Sequence, residues 1–264
     1  MPQNKFVMIT GSTSGIGFEL AKLFAKDNYD VAMSGSSEKI YESAKEIEEL
    51  GVEAYPFQAD ASTYEGVEAF WKFVEGKNRK LHAAVLNVGV SLGGAFMDND
   101  LEEELKLIDI NISGTVHTAK RVVNHMVPNG EGNILIVSSL SATLPTPYET
   151  VYGPSKAFGF MFAEALREEL KDTGVNVTAM LPGATNTDFH HNAGMDSTYF
   201  GDDSIKNEKT EVAKQGYDAL MNGLDHIICG DEETKQQAEE NKRTPEPVKA
   251  ANHAKKAKPQ EQGD

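Results

Sequence analysis

Apolar residues gather along this chain in short runs: "KFVMIT", "YDVAMSG", "EAYPFQAD", "HAAVLNVG", "GNILIVSS", "VNVTAML" and "DHIICG". Between the runs, apolar positions recur every three or four residues over Gly15 to Lys26, Glu38 to Leu50, Thr63 to Gly76, Leu101 to Val127, Val151 to Lys171 and Glu208 to Met221. The first pattern predicts strands and the second predicts amphipathic helices. Strands alternating with helices imply right-handed crossovers and a parallel sheet covered on both faces. The expected architecture is therefore α/β, a doubly wound sheet of about seven strands, with ligands bound beyond the carboxyl ends of the strands.

The rhythm stops near residue 230. From Asp231 to Asp264 the large apolar residues vanish apart from Val248, leaving eight acidic and seven basic residues among Gln, Ala and Pro. Residues 1–230 are expected to form one domain, with a lid at about 187–207. Residues 231–264 are expected as a polar appendage, helical or partly disordered, with a solvated tail favoured by its composition. The net charge of -16 argues against nucleic acid or an anionic membrane as partner, because both would be repelled. A lone cysteine, Cys229, rules out an internal disulfide framework and a cysteine-rich zinc site, and fits a reducing cytoplasm. Adjacent His190 and His191 lack metal-ligand spacing, so no metal is expected. The apolar runs are too short for a signal peptide or a bilayer span.

Chemistry-bearing residues cluster where the strands end. "TGSTSGIG", Thr10 to Gly17, follows the first strand. Its glycines permit a tight turn and a close backbone approach to a pyrophosphate, which the N-terminus of the next helix would attract. Asp60 ends the third strand, where it could accept from an adenine amino group with the Ala61 backbone beside it, or cap the following helix. Asn87 and Gly89 end the fourth strand, near a ribose or in a simple turn. Ser138 and Ser139 end the fifth, where serines are ordinarily turn residues. In "VYGPSK", Tyr152 and Lys156 stand one helical turn apart, a spacing that would let the ammonium lower the phenol pKa and fit it for proton transfer.

Together these motifs resemble the short-chain dehydrogenase/reductase family over residues 5 to about 190. The resemblance also takes in Asn111 in "DINISG" and "LPGATNT" from Leu181 to Thr187; "LNVG" stands where the family usually reads "NNAG". It implies a Rossmann-type fold and an oxidoreductase exchanging a hydride between a nicotinamide cofactor and a carbonyl or secondary alcohol. Tyr152 would be the acid or base, Ser139 would stabilise the substrate oxygen, and Lys156 would bind the nicotinamide ribose. Asn111 would hold a relay water through its backbone. Cofactor contacts would come from Gly11, Ser12, Ser14, Gly15, Ile16, Gly17, Gly35, Ser36, Ser37, Asp60, Ala61, Asn87, Gly89, Tyr152, Lys156, Pro182, Gly183, Thr185 and Thr187.

NAD-preferring relatives carry an Asp at the end of the second strand. Gly35 occupies that position here, followed by Ser36 and Ser37, so NADP(H) is expected over NAD(H). Ser141, Tyr148 and Gly183 are expected at the substrate, with Val90, Leu144 and Glu149 near them. With no Lys or Arg in "FHHNAGMDSTYFGDD", a neutral, partly apolar small molecule is expected. A 3-oxoacyl reductase and a catalytically idle dinucleotide-binding regulator are the alternatives. Relatives pair through their two long helices, so a homodimer or homotetramer is expected.

Overall fold

The computed structural model describes residues 4–259. In chain order its elements are β1 (Lys5–Ile9), α1 (Gly15–Lys26), β2 (Tyr29–Gly35), α2 (Lys39–Glu48), β3 (Ala54–Gln58), α3 (Tyr64–Glu75), β4 (Ala83–Leu86) and α4 (Leu101–Ile108). A π-helical turn, Asp109–Ser113, leads into α5 (Gly114–Asn129), followed by β5 (Gly132–Val137), α6 (Tyr152–Leu170) and β6 (Val175–Pro182). The chain continues through α7 (Phe189–Asn192), α8 (Lys209–Met221), β7 (His226–Cys229), α9 (Glu232–Asn241) and α10 (Glu246–Ala257).

The strands form one parallel sheet in the order β3-β2-β1-β4-β5-β6-β7. Side chains alternate across a strand, and β1 divides its residues between two cores accordingly. Val7 and Ile9 pack with Leu20, Phe24 and Leu220 on one face, while Phe6 and Met8 pack with Trp71, Val122 and Met126 on the other. Burial on both faces explains why the strands read as continuous apolar runs. The order reverses between β1 and β4, which opens a crevice at their carboxyl ends.

Two expectations need correction. The helix expected over Leu101 to Val127 is interrupted by the π turn, which carries Asn111. The C-terminal segment is not a solvated tail: α9 and α10 bury Ala238, Asn241, Lys249, His253 and Ala257. Small and amphipathic side chains do the packing there, so the segment reads as polar although one face of it is covered. Its residues 260–264 lie outside the described residues.

Candidate active site

The turn after β1 is shaped by two left-handed glycines, Gly11 (φ 64°) and Gly15 (φ 60°). A side chain on Gly11 would meet the Val88 backbone at 2.9 Å, and one on Gly17 would run into the Gly11 carbonyl and Asn87. Asn87 ties the turn to β4 by donating to the carbonyls of Thr10 (3.1 Å) and Gly11 (2.8 Å). Gly11, Ser14, Gly15 and Ile16 therefore line a cavity of about 700 Å³, together with Asn87, Gly89, Pro182, Gly183, Thr185 and Thr187. Ser12 is fully buried and donates its hydroxyl to Ile9 (3.2 Å), which holds the turn's shape rather than facing the cavity. Backbone amides beside a helix N-terminus, with glycine at positions 11 and 15, fit a pyrophosphate. Farther along the edge, Gly35 packs on the Thr13 hydroxyl, and Ser36 and Ser37 are exposed. Asp60 is also exposed; its carboxylate accepts from the Ser62 amide (2.9 Å) and hydroxyl (2.7 Å). Ala61 lies against α5, its carbonyl close to Gly114.

Ser139, at the end of β5, and Tyr152 and Lys156, on the first turns of α6, line the same cavity and are all buried. Burial pushes the Tyr152 phenol well above its ordinary range; the Ser139 hydroxyl pulls it back and the Glu149 carboxylate pushes it up. Lys156 is brought down to about 8 by burial. Its ammonium donates to the Val137 carbonyl (3.1 Å) and stands 5.9 Å from the centre of the Tyr152 ring. The expected lowering of Tyr152 by Lys156 is thus absent, because the ammonium is turned toward the Val137 carbonyl and burial dominates at the phenol. Asn111 lies behind this group. Its side chain accepts from the Val90 amide and donates to the Val90 carbonyl and the Ser155 hydroxyl, each at 2.9 Å. Its backbone carbonyl accepts from Thr115 (2.8 Å).

A family model of short chain dehydrogenases matches residues 5–198. The chain belongs to that family. Among similar proteins, the probable oxidoreductase EphD of Mycobacterium tuberculosis is 31% identical over 210 residues, which is 79% of this chain and 36% of EphD. This chain thus spans about a third of that relative's length. Among solved structures, a short-chain dehydrogenase from Sphingobium yanoikuyae in complex with NADPH superposes with a TM-score of 0.81 at 25% identity, covering 90% of this chain and 93% of that one. A 3-ketoacyl-(acyl-carrier-protein) reductase from Brucella melitensis complexed with NADH shares the fold, with a TM-score of 0.76 at 23% identity over 89% of this chain and all of that one.

In this short-chain dehydrogenase the outer wall of the cavity comes from the 187–207 region and, unexpectedly, from α9 and α10. Ser141, Leu144, Glu149 and Gly183 line it. Tyr148 is not among the lining residues: it adopts a left-handed backbone (φ 67°) and packs with Ala193, Met195 and Ala257. Sequence reasoning missed Asn241, Lys249 and His253, because nothing local marks them as inward-facing. Asn241 donates to the Thr143 hydroxyl (2.7 Å), and Lys249 donates to the Thr143 carbonyl (3.0 Å) while pairing with Glu246 (2.8 Å). The cavity wall therefore does carry cations, Lys249, Lys255 and Lys256, and the premise of a lysine-free substrate side is corrected. His190 is buried against the cavity, whereas His191 is exposed and pairs with Asp196 (2.8 Å). Among the described residues no helix is long and apolar enough to cross a membrane.

Proposed function

We propose that this oxidoreductase exchanges a hydride between NADP(H) and a neutral ketone, aldehyde or secondary alcohol, with Tyr152 handling the proton. The observation that carries this reading is the convergence of Ser139, Tyr152 and Lys156 on one cavity beside the glycine cradle. The cofactor, held by Gly11, Ser14, Gly15, Ile16, Asn87, Gly89 and the Pro182 to Thr187 turn, supplies or accepts the hydride. Tyr152, which burial keeps protonated, donates to the carbonyl oxygen in reduction, and in oxidation its phenolate, formed after its own proton has left, accepts the proton of the alcohol. Ser139 hydrogen-bonds the same oxygen and stabilises its growing charge. Lys156 would present its ammonium to the ribose hydroxyls, and the Asn111 carbonyl, which accepts from Thr115, would also hold the relay water.

Five features support the finer points. No carboxylate occupies position 35, and the Ser36 and Ser37 hydroxyls stand free to meet a 2′-phosphate. The NADPH-bound relative is a neighbour in structure. The buried Glu149 carboxylate beside Tyr152 disfavours an anion at the reacting carbon, so the lysines of α10 do not change the preference for a neutral substrate. Exposed Leu101, Leu105, Val116 and Met161 on α4, α5 and α6 support a homodimer or homotetramer, and the single buried Cys229 suits the cytoplasm.

Tyr152→Phe keeps the ring and removes the proton. Its turnover on a carbonyl panel is expected to fall at least about a hundredfold, with the cofactor Kd, read by nucleotide fluorescence, within about threefold of the parent. Near-normal turnover overturns the assignment.

A further inference from the structure

A closed sequence of contacts surrounds the substrate end of the cavity. The Tyr152 ring packs on Phe189 (5.4 Å between ring centres), Phe189 on His190 (5.6 Å), His190 flat on Phe200 (5.6 Å) and Phe200 on His253 of α10 (5.5 Å). His253 Nε2 then meets Glu149 Oε2 at 3.2 Å, only three residues before Tyr152. Both side chains of this last pair are about 95% buried, at 5% and 4% exposure. Such a pair is costly to desolvate and contributes little stability over an apolar pair of the same volume. It nevertheless lies in the wall of the cavity.

The polar groups here are not saturated. A carboxylate accepts about four hydrogen bonds, and Glu149 uses one acceptor direction for the Ser91 hydroxyl (2.9 Å) and one for His253. His190 lines the same cavity with a buried Nδ1 that has no partner among the described residues. Spare acceptor capacity on a rigidly held carboxylate, next to the residue that handles the reacting oxygen, recognises a hydrogen-bond donor on the substrate. An ammonium group is the poorer match, because His253 already faces the carboxylate and Lys255 and Lys256 stand on the cavity wall.

We propose that Glu149, held in place by His253, is the specificity-determining residue of this site and accepts a hydrogen bond from a hydroxyl group on the carbon next to the substrate carbonyl. The proposal deepens the oxidoreductase reading by naming a substrate class, hydroxy ketones and the diols they interconvert with. His253 is a positioning residue: it fixes the carboxylate and brings α10 over the pocket.

The test compares 2-hydroxyacetophenone, acetophenone and 2-methoxyacetophenone, which separate a donor from no group and from an acceptor only. With NADPH or NADH, kcat/KM for the hydroxy ketone is expected to exceed both others by at least about tenfold, because a buried charged acceptor left without its donor is penalised. Glu149→Gln narrows that ratio to below about threefold. His253→Phe narrows it as well, whereas His253→Gln, which keeps a donor for Glu149, restores most of it. The same three ketones are titrated calorimetrically into cofactor-loaded Tyr152→Phe protein and into its Glu149→Gln double variant, so binding is read without turnover. Preferential binding of the hydroxy ketone, lost in the double variant, supports the proposal even if the parent reduces none of the ketones, a result that would sink only the oxidoreductase reading. Equal binding of all three, or a preference that survives Glu149→Gln, overturns it.

Discussion

Lys156 works from a position that is unfavourable for a charge. Burial brings its pKa from 10.5 to about 8, so between these values the unfolded chain holds more protons than the folded one, and stability rises with pH across that window. Below about pH 8 the folded protein bears the cost of a buried ammonium. Lys156→Met is therefore expected to be more stable than the parent at pH 7, by up to roughly 3 kcal/mol, and to lose the rise between pH 8 and 10.5, while its turnover collapses. Thermal melts from pH 7 to 10.5 check this, and a variant that melts below the parent at pH 7 contradicts it. Position 35 is constrained in a different way. A side chain on Gly35 would collide with the Thr13 hydroxyl, so Gly35→Asp alone is expected to damage the cradle and weaken both cofactors. Combined with Thr13→Ala, the aspartate has room to reach the ribose hydroxyls. The ratio of kcat/KM for NADH to that for NADPH should then rise at least about tenfold, and an unchanged ratio in the double variant argues against the preference assigned to Gly35.

At the scale of elements, the π turn between α4 and α5 is where local periodicity and function part. It places Asn111 against both Val90 and the start of α6, so three hydrogen bonds depend on one side chain. Asn111→Leu keeps the branched outline of the side chain but strands the Val90 amide and carbonyl; a cost of about 3 kcal/mol is expected, or roughly 6–12 °C in Tm. A melt within 2 °C of the parent, on the order of the smallest shift expected per kcal/mol, would show that the segment relaxes. The strands and the other helices of the sheet domain were legible because each buries a face or both faces, and burial writes a period into the sequence: α1 runs over Gly15–Lys26 as its pattern indicates. The π turn was not legible, since one extra residue within a helix barely disturbs the spacing of apolar positions. The cradle and the Ser139, Tyr152 and Lys156 set were readable because their glycines and polar residues sit at strand ends in a recognisable order. The direction of the Lys156 ammonium was not, because helical spacing specifies a face and not the rotamer.

For the whole molecule, the decisive feature is that the chain returns to its own centre after the sheet is complete. Nothing in the composition of residues 231–264 announced this, because the inward side of α10 is made of Lys249, His253 and Ala257 rather than large apolar side chains. Deleting residues 246–264 is expected to leave the seven strands folded, with an unchanged β-sheet signature by circular dichroism. It should reduce kcat/KM at least about tenfold by opening the wall between Thr143 and Glu149. Full activity in the truncated protein would show that α10 only covers the surface. The same arrangement imposes an order on synthesis. The last strand ends at Cys229, so the sheet and its glycine cradle can close while α10 is still inside the ribosome. Glu149 then remains without its histidine until α10 emerges. If Glu149 selects the substrate as proposed, a newly made molecule completes its glycine cradle before it completes its means of choosing a substrate.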